Sequence, residues 1–141
     1  MRIVFEYSPV QTAPEGVPIV HCVSWCGKMG AGVARTLNSI FDLKTEFQAT
    51  ERYGPGLVAI PRYNRYILNL ITKKYFFEKP TLDDFKQALL FLREFIIQHN
   101  CKHVAAPALG TGRDKLPMEA VLDALAEALD GLDVVVHIHI A

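Results

Sequence analysis

The chain has 141 residues, half of them hydrophobic, and its 15 lysines and arginines balance its 15 aspartates and glutamates. This length and composition predict one compact domain with a single substantial core and no linker. Zero net charge excludes the long-range positive field of a dedicated nucleic-acid binder, so any phosphate must be held by local contacts.

No segment of the sequence indicates export or membrane insertion. The three cysteines, Cys22, Cys26 and Cys101, fit neither a CxxC pair nor a zinc framework and indicate a reducing compartment. No apolar run approaches the roughly 18 to 20 residues that span a bilayer, and MRIVFEY lacks the regions of a signal peptide. We therefore expect a soluble, intracellular protein of the cytoplasm or nucleus, with no membrane partner.

Strand and helix patterns alternate along the chain. β-branched and aromatic residues predict strands, and apolar residues at helical spacing predict helices. In chain order we predict strands at residues 3–7 and 18–23, a helix at 32–41, a candidate sixth strand at 57–60, a strand at 65–71, a helix from Thr81, a strand at 103–106, a helix from Pro117 and a strand at 134–140.

Residue types at the ends of two helices support these boundaries. The Thr81 hydroxyl can cap the amide of Asp84, and Pro80 interrupts the segment before it. Pro117 stands at the expected first position of the last helix, and Gly131 stands where that helix stops. The alternation predicts an α/β fold with a mostly parallel or mixed sheet that is covered on both faces.

Three segments belong to the edge of this sheet where ligands bind. In open α/β sheets that edge lies beyond the carboxyl ends of the strands, where loops lead into helices. Residues 24–32, 72–79 and 107–116 each follow a predicted strand. We expect these three segments to converge on one site.

The first segment contains the glycine loop WCGKMGAGVA, residues 25–34. It matches neither the GxxxxGK[ST] nor the GxGxxG signature. Gly30 and Gly32 remove side chains where a helix begins, so a diphosphate could approach the unpaired backbone amides there. A turn whose glycines only allow positive φ and cap the helix is an equally open interpretation.

The second glycine loop is PALGTGRDKL, residues 107–116. Two such loops at one sheet edge could hold an extended ligand from both sides. Asp114, between Arg113 and Lys115, could act as a general base or position a water. A surface ion pair is the alternative.

Lys73 and Lys74 end an apolar strand. Strand alternation points one toward the core side and one away. Desolvation and a neighbouring cation would make one amine a better nucleophile. The alternative is that both ammonium groups simply reach into water.

Other polar and aromatic residues give weaker signals. His21 lies inside an apolar strand, which is typical of a core histidine. His137 and His139 share one strand face but lack a third ligand, so we predict no metal site. The aromatic and basic residues of 62–66 and 74–77 could stack on single-stranded nucleic acid or pack within a strand pair.

Taken together, these segments resemble a macro domain, the ADP-ribose-binding fold, and within it the branch of terminal ADP-ribose protein glycohydrolases. Residues 21–34, 56–81 and 107–116 occur in the family's order and spacing, and the resemblance covers nearly the whole chain. It implies that residues 1–141 form a single macro domain: a three-layer α/β/α sandwich around a mixed, mostly parallel sheet. ADP-ribose would lie across the carboxyl edge of that sheet. We also expect a monomer.

The resemblance also implies roles for individual residues. Lys73 matches the catalytic lysine, which forms a transient adduct with the distal ribose, and Asp114 matches the catalytic aspartate, which moves protons and helps to resolve that adduct. No metal or redox cofactor is required. The implied ligand-binding residues are His21, Ser24, Met29, Gly30, Ala31, Gly32, Val33, Thr72, Pro107, Gly110, Thr111, Gly112 and Arg113.

The chain departs from the family at two places. Members usually carry a Gly-Asp pair whose carboxylate reads the adenine amino group, and this chain has YSPV at residues 7–10 instead. Glu6 is a conceivable substitute. Ala108 stands where some members have arginine.

The implied function is a hydrolase that removes ADP-ribose from modified protein carboxylates or DNA bases, so its partners would be ADP-ribose and ADP-ribosylated protein or nucleic acid. One alternative is a phosphatase for ADP-ribose 1″-phosphate. Another is a non-catalytic reader of ADP-ribose. The presence of both Lys73 and Asp114 argues against the reader, and the aromatic and basic run favours a nucleic-acid adduct.

Overall fold

A computed structural model describes residues 1–111 and 115–140. Its strands form one six-stranded sheet in the order β1-β6-β5-β2-β4-β3. β3 pairs antiparallel with β4, and the remaining described pairs are parallel. The strands are β1 (Arg2–Glu6), β2 (Ile19–Ser24), β3 (Gly56–Arg62), β4 (Arg65–Lys73), β5 (His103–Pro107) and β6 (Val135–His139). The mixed, mostly parallel sheet is thus confirmed, including the candidate strand at 57–60.

Among the described residues, four α-helices cover the two faces of the sheet: α1 (Gly32–Phe41), α2 (Lys44–Ala49), α3 (Leu82–His99) and α4 (Met118–Ala128). One apolar core joins α3 and α4 to the sheet, with Phe85 and Leu125 fully buried. A second core joins α1 and α2 to the opposite face through Leu37 and Phe47. This is the predicted three-layer arrangement, because consecutive residues of the central strands pack into opposite cores, as Ile19 and Val20 do in β2.

The helix boundaries follow the sequence signals closely. The Thr81 hydroxyl accepts a hydrogen bond from the Asp84 amide at 3.1 Å, which confirms the predicted cap of α3. Pro117 precedes α4 as its N-cap and is not its first helical residue, a shift of one position. α2 and a single 3-10 turn at Val10–Thr12 were not expected.

The parallel strands run in one direction, so their carboxyl ends meet at a single edge. The loops that follow β2, β4 and β5 leave from that edge, and α1 and α3 begin close to it. No helix in the described part of the chain is long and apolar enough to cross a membrane.

Candidate functional site

A cleft of about 780 Å³ opens at the carboxyl edge of the sheet. It is lined by parts of all three segments that follow β2, β4 and β5, which confirms their predicted convergence. Its volume lies in the usual range for small-molecule sites. Four lysines and one glutamate line it, namely Lys28, Lys73, Lys79, Lys115 and Glu78. The cleft is therefore locally cationic although the whole chain has no net charge.

Most of the predicted site residues that the structure describes border this cleft. Thr111 does not, and its hydroxyl donates to the Ala108 carbonyl at 2.8 Å. Thr72 borders a separate, smaller cavity. Gly112, Arg113 and Asp114 lie outside the described residues. The predicted residues that line the cleft are His21, Ser24, Met29, Gly30, Ala31, Gly32, Val33, Lys73, Pro107 and Gly110.

The glycine loop brings the N-terminus of α1 to the cleft. Gly27 has a φ of +68°, and Phe47 of α2 packs against its backbone. The chain then reaches Ala31, the N-cap of α1, which makes no side-chain capping bond. The first amides of a helix have no acceptor within the helix and carry its partial positive charge. The wall of the cleft that begins at Gly32 can therefore bind an anion through its backbone.

His21, which also lines the cleft, is held in place by Asn69. Nδ2 of Asn69 donates to the carbonyls of Val58 at 3.0 Å and Ile67 at 3.2 Å, so its Oδ1 faces the imidazole. Nε2 of His21 lies 2.6 Å from that oxygen and must carry the proton. The two hydrogen bonds that Asn69 donates to backbone carbonyls thus fix the tautomer of His21.

Burial keeps His21 neutral. Desolvation lowers its pKa from 6.5 to about 4, and the bond to Asn69 offsets only part of that shift. In the neutral ring Nδ1 is an acceptor, and it has no hydrogen-bond partner among the described residues. From the sequence, His21 was predicted either to line the ligand site or to be a hydrogen-bonded core histidine. In the structure its Nε2 is hydrogen-bonded to Asn69, and its Nδ1 is an acceptor without a partner among the described residues. Asn69 was missed, although a carboxamide within the apolar run of β4 was a usable signal.

Lys73 ends β4 beside the cleft. It is half-buried, whereas Lys74 is exposed with its Nζ 5.4 Å from the centre of the Tyr75 ring. The amide of Trp25 donates to the Lys73 carbonyl at 2.8 Å, and the amide of Cys26 donates to the Lys74 carbonyl at 3.1 Å. These bonds fix the end of β4 against the glycine loop, so the lysine position is set by backbone contacts.

Exposed aromatic rings form one rim of the cleft. Tyr75 and Phe77 stack with their centroids 5.5 Å apart, and Phe76 meets Phe77 edge-on. Nζ of Lys28 lies 4.0 Å from the centre of the Phe76 ring, a cation–π contact between two loops. The aromatic part of the run at 74–77 is therefore surface-exposed and is not packed within the strand pair.

Cys26, near the start of the glycine loop, is surrounded by hydrogen-bond donors. Burial acts to raise the pKa of its thiol, but the Ser24 hydroxyl at 3.1 Å and the backbone amides of Lys28, Phe76 and Cys26 itself outweigh it and lower the pKa. By contrast, burial raises the pKa of the Cys101 thiol. The donors around Cys26 connect the two loops that flank the cleft.

Glu6 does not border the cleft. Its Oε1 pairs with Nδ1 of His137 at 2.9 Å, and Nε2 of His137 is 2.9 Å from Nδ1 of His103. Val10 is buried in the 3-10 turn. Within residues 1–111 and 115–140, no group of three or more histidine, cysteine, aspartate or glutamate side chains is arranged to hold a metal ion.

Comparisons with known proteins agree with this geometry. No protein-family profile matches the chain. It is 27% identical over 133 residues to the bovine ADP-ribose glycohydrolase OARD1, covering 94% of this chain and 88% of that protein. It is 30% identical over 127 residues to a Thermus aquaticus DNA ADP-ribosyl glycohydrolase, covering 82% of this chain but only 34% of the longer relative. The macrodomain structure of Thermus aquaticus DarG superimposes with a TM-score of 0.88 and 26% identity, covering 99% of this chain and 98% of that one.

Proposed function

Because the chain is a macro domain of the type found in OARD1 and DarG, we propose that it is an ADP-ribosyl hydrolase that releases ADP-ribose from modified protein side chains or nucleic-acid bases. One observation carries the proposal. The uncapped N-terminus of α1 and the side chain of Lys73 border the same cationic cleft. A diphosphate bound at the helix N-terminus would therefore lie beside the Lys73 amine, which could attack the sugar attached to that diphosphate.

The diphosphate is assigned to the loop at residues 29–34. Backbone amides at a helix N-terminus bind phosphate oxygens without needing an excess of basic side chains. The loop matches the family's ligand-binding residues Met29, Gly30, Ala31, Gly32 and Val33, all of which line the cleft. Lys28 and Lys79 add positive charge at the same opening.

A sugar hydroxyl is assigned to His21. Nδ1 is an acceptor with no described partner, and the ring borders the cleft. A ribose hydroxyl is a donor that would satisfy this nitrogen, and binding would then remove the cost of leaving it buried without a partner. Ser24, in the same wall, offers a second hydroxyl contact.

Lys73 is assigned as the nucleophile and Asp114 as the proton-transfer group. The uncharged lysine amine attacks the anomeric carbon of the distal ribose and the bond to the acceptor breaks, while the aspartate takes the proton lost by the attacking nitrogen and passes it to the departing acceptor. The same carboxylate then takes a proton from water, which attacks the anomeric carbon, and passes that proton to the lysine nitrogen, which leaves as the amine and releases ADP-ribose. Asp114 lies outside the described residues, so its assignment rests on the family motif.

The test compares wild type with Lys73→Ala and Asp114→Ala on ADP-ribosylated protein, ADP-ribosylated single-stranded DNA and ADP-ribose 1″-phosphate. Loss of either group should slow release of ADP-ribose by about 100-fold or more, while ADP-ribose binding remains measurable by calorimetry. Lys102→Ala is the matched control, because Lys102 precedes β5 at the opposite edge of the sheet and pairs with Asp133.

Three results would contradict parts of this proposal. Full turnover in both variants would remove the catalytic assignment. Turnover of ADP-ribose 1″-phosphate alone would make the protein a phosphatase, and binding of ADP-ribose without any turnover would make it a reader.

A further inference from the structure

A second cavity of about 390 Å³ lies beside the cleft. Lys73 lines both spaces, and Trp25, Thr72, Lys74 and Asp84 line only the smaller one. If Lys73 attacks the sugar from the cleft, the group bonded to that sugar must lie close to the same side chain. The smaller cavity meets this condition, because Lys73 lines it as well.

We propose that this second cavity holds the group from which ADP-ribose is removed, and that this group is a nucleobase. This assignment rests on the hydrolase function proposed above. The cavity is called the acceptor cavity below. Its wall, its buried hydroxyl and its carboxylate each support this assignment.

The wall of the acceptor cavity is a fixed aromatic ring. Arg52 packs over the Trp25 indole at 4.7 Å, its Nε donates to the Trp25 carbonyl at 2.6 Å, and the indole Nε1 donates back to the Arg52 carbonyl at 3.2 Å. Trp25 nevertheless remains 37% exposed. A base stacked on such a ring gains about 1 to 3 kcal/mol, and a ring that is already held loses little entropy on binding.

The floor of the acceptor cavity contains a hydroxyl that the fold leaves unsatisfied. Thr72 is only 1% exposed, and its Oγ1 has no hydrogen-bond partner among the described residues. A buried hydroxyl without a partner destabilises the folded protein. A ligand that offers a carbonyl, a ring nitrogen or an N–H group would satisfy it.

Asp84 distinguishes a nucleobase from a carboxylate side chain as the group that carries ADP-ribose. Its amide is used by the Thr81 cap, but its carboxylate makes no hydrogen bond or ion pair in the part of the chain that the structure describes. A nucleobase offers N–H donors to this carboxylate and acceptors to Thr72 and Lys74. An ADP-ribosylated glutamate or aspartate is an ester that offers only hydrogen-bond acceptors, and its release would place a second negative charge beside Asp84.

The experiment uses Trp25, the chain's single tryptophan, as its reporter. The protein is saturated with ADP-ribose, and its fluorescence is followed while a short single-stranded DNA oligonucleotide, an RNA of the same sequence, or a glutamate-rich peptide is added. Saturable quenching by either nucleic acid and not by the peptide is expected. The DNA and RNA titrations then distinguish the two possible sources of the base.

Two variants localise the effect. Asp84→Ala and Thr72→Val should each weaken oligonucleotide binding about tenfold, the cost of one lost hydrogen bond to a buried or charged group. Asp83→Ala is the matched control, because Asp83 occupies the same first turn of α3 but borders neither cavity. It should bind like wild type.

The assignment is overturned by any of three results: no quenching by nucleic acid, equal quenching by the peptide, or Asp84→Ala binding like Asp83→Ala. Failure of the hydrolase function is a separate result. It would appear as absent release of ADP-ribose from every substrate in the assay above, while titrations without ADP-ribose would still report whether the acceptor cavity takes a base.

Discussion

Gly27 and Gly30 lie in one loop but are glycines for different reasons. A Cβ at Gly27 would lie 2.5 Å from Cδ1 of Phe47, and its φ is in the left-handed region. A Cβ at Gly30 would meet nothing closer than Cγ of Lys28 at 3.7 Å, an ordinary contact. The fold therefore requires glycine at position 27, whereas at position 30 it leaves room for a Cβ, and glycine there fits the proposed close approach of a ligand to the backbone.

This difference separates binding from stability. Gly30→Ala should weaken ADP-ribose binding about tenfold or more, a loss of about 1.4 kcal/mol, with little change in the free energy of unfolding. Gly27→Ala should do the reverse and cost about 1 to 3 kcal/mol of stability through overpacking and backbone strain. Calorimetry and urea denaturation measure the two effects. Wild-type affinity in Gly30→Ala would mean that the ligand does not approach this part of the loop.

Two of the cysteines, Cys26 and Cys101, should differ in reactivity, because the thiolate is the reactive form. The donors around Cys26 lower the pKa of its thiol, and burial raises the pKa of the Cys101 thiol. Iodoacetamide should therefore modify Cys26 faster than Cys101 at neutral pH, as measured by peptide mass spectrometry. Ser24→Ala removes one donor and should move the Cys26 pH profile upward. Equal rates at Cys26 and Cys101 would contradict the donor arrangement.

At the level of single residues, the sequence predicted the loop residues that border the cleft better than the residues that hold those loops in place. Glycine spacing and a lysine at a strand end are local patterns, and most of the residues that they indicated border the cleft. Arg52 was not predicted, since its hydrogen bonds reach back to the carbonyl of Trp25 and to those of a neighbouring helix. Such contacts depend on how the chain turns, and no spacing in the sequence encodes them.

At the level of elements, the long helices were predictable and α2 was not. α2 has six residues and buries only Phe47, so it shows no helical repeat. Its start is fixed from the end of α1, where Oδ1 of Asn38 accepts hydrogen bonds from the amides of Leu43 at 2.9 Å and Lys44 at 2.8 Å. A helix this short is stable only through tertiary contacts, because helix nucleation is costly.

The cap of α3 links helix stability to the acceptor cavity. Thr81→Ala removes the hydroxyl that accepts from the Asp84 amide and should cost about 1 kcal/mol of unfolding free energy. Thr81→Ser keeps the acceptor and should retain most of the stability. Urea denaturation of the two variants tests this expectation, and equal losses would show that the methyl group matters more than the cap.

At the scale of the whole molecule, the parallel sheet was predictable but the order of its strands was not. Alternating strands and helices require crossovers, and crossovers produce parallel pairs. The pairing of β1 with β6 joins opposite ends of the chain, with Arg2 beside Val135. No local sequence pattern shows that β1 pairs with β6 and not with β2 or β5, because each of these strands is apolar enough to lie in the centre of the sheet.

The stability of the whole fold should depend on pH through His21. Its folded pKa of about 4 lies below the unfolded value of 6.5, so between these values the unfolded chain binds more protons than the folded one. The stability contributed by the neutral ring is complete above pH 6.5 and is lost as the pH falls toward 4. The loss at pH 4 is about 3 kcal/mol, since one pKa unit corresponds to about 1.4 kcal/mol. Urea denaturation between pH 7 and pH 4 should therefore show a steep decline in wild type and a flatter one in His21→Gln, which cannot titrate. The control His103→Asn, which changes an exposed ring, should keep the wild-type slope of unfolding free energy against pH. An equally steep decline in His21→Gln would show that another group causes the pH dependence.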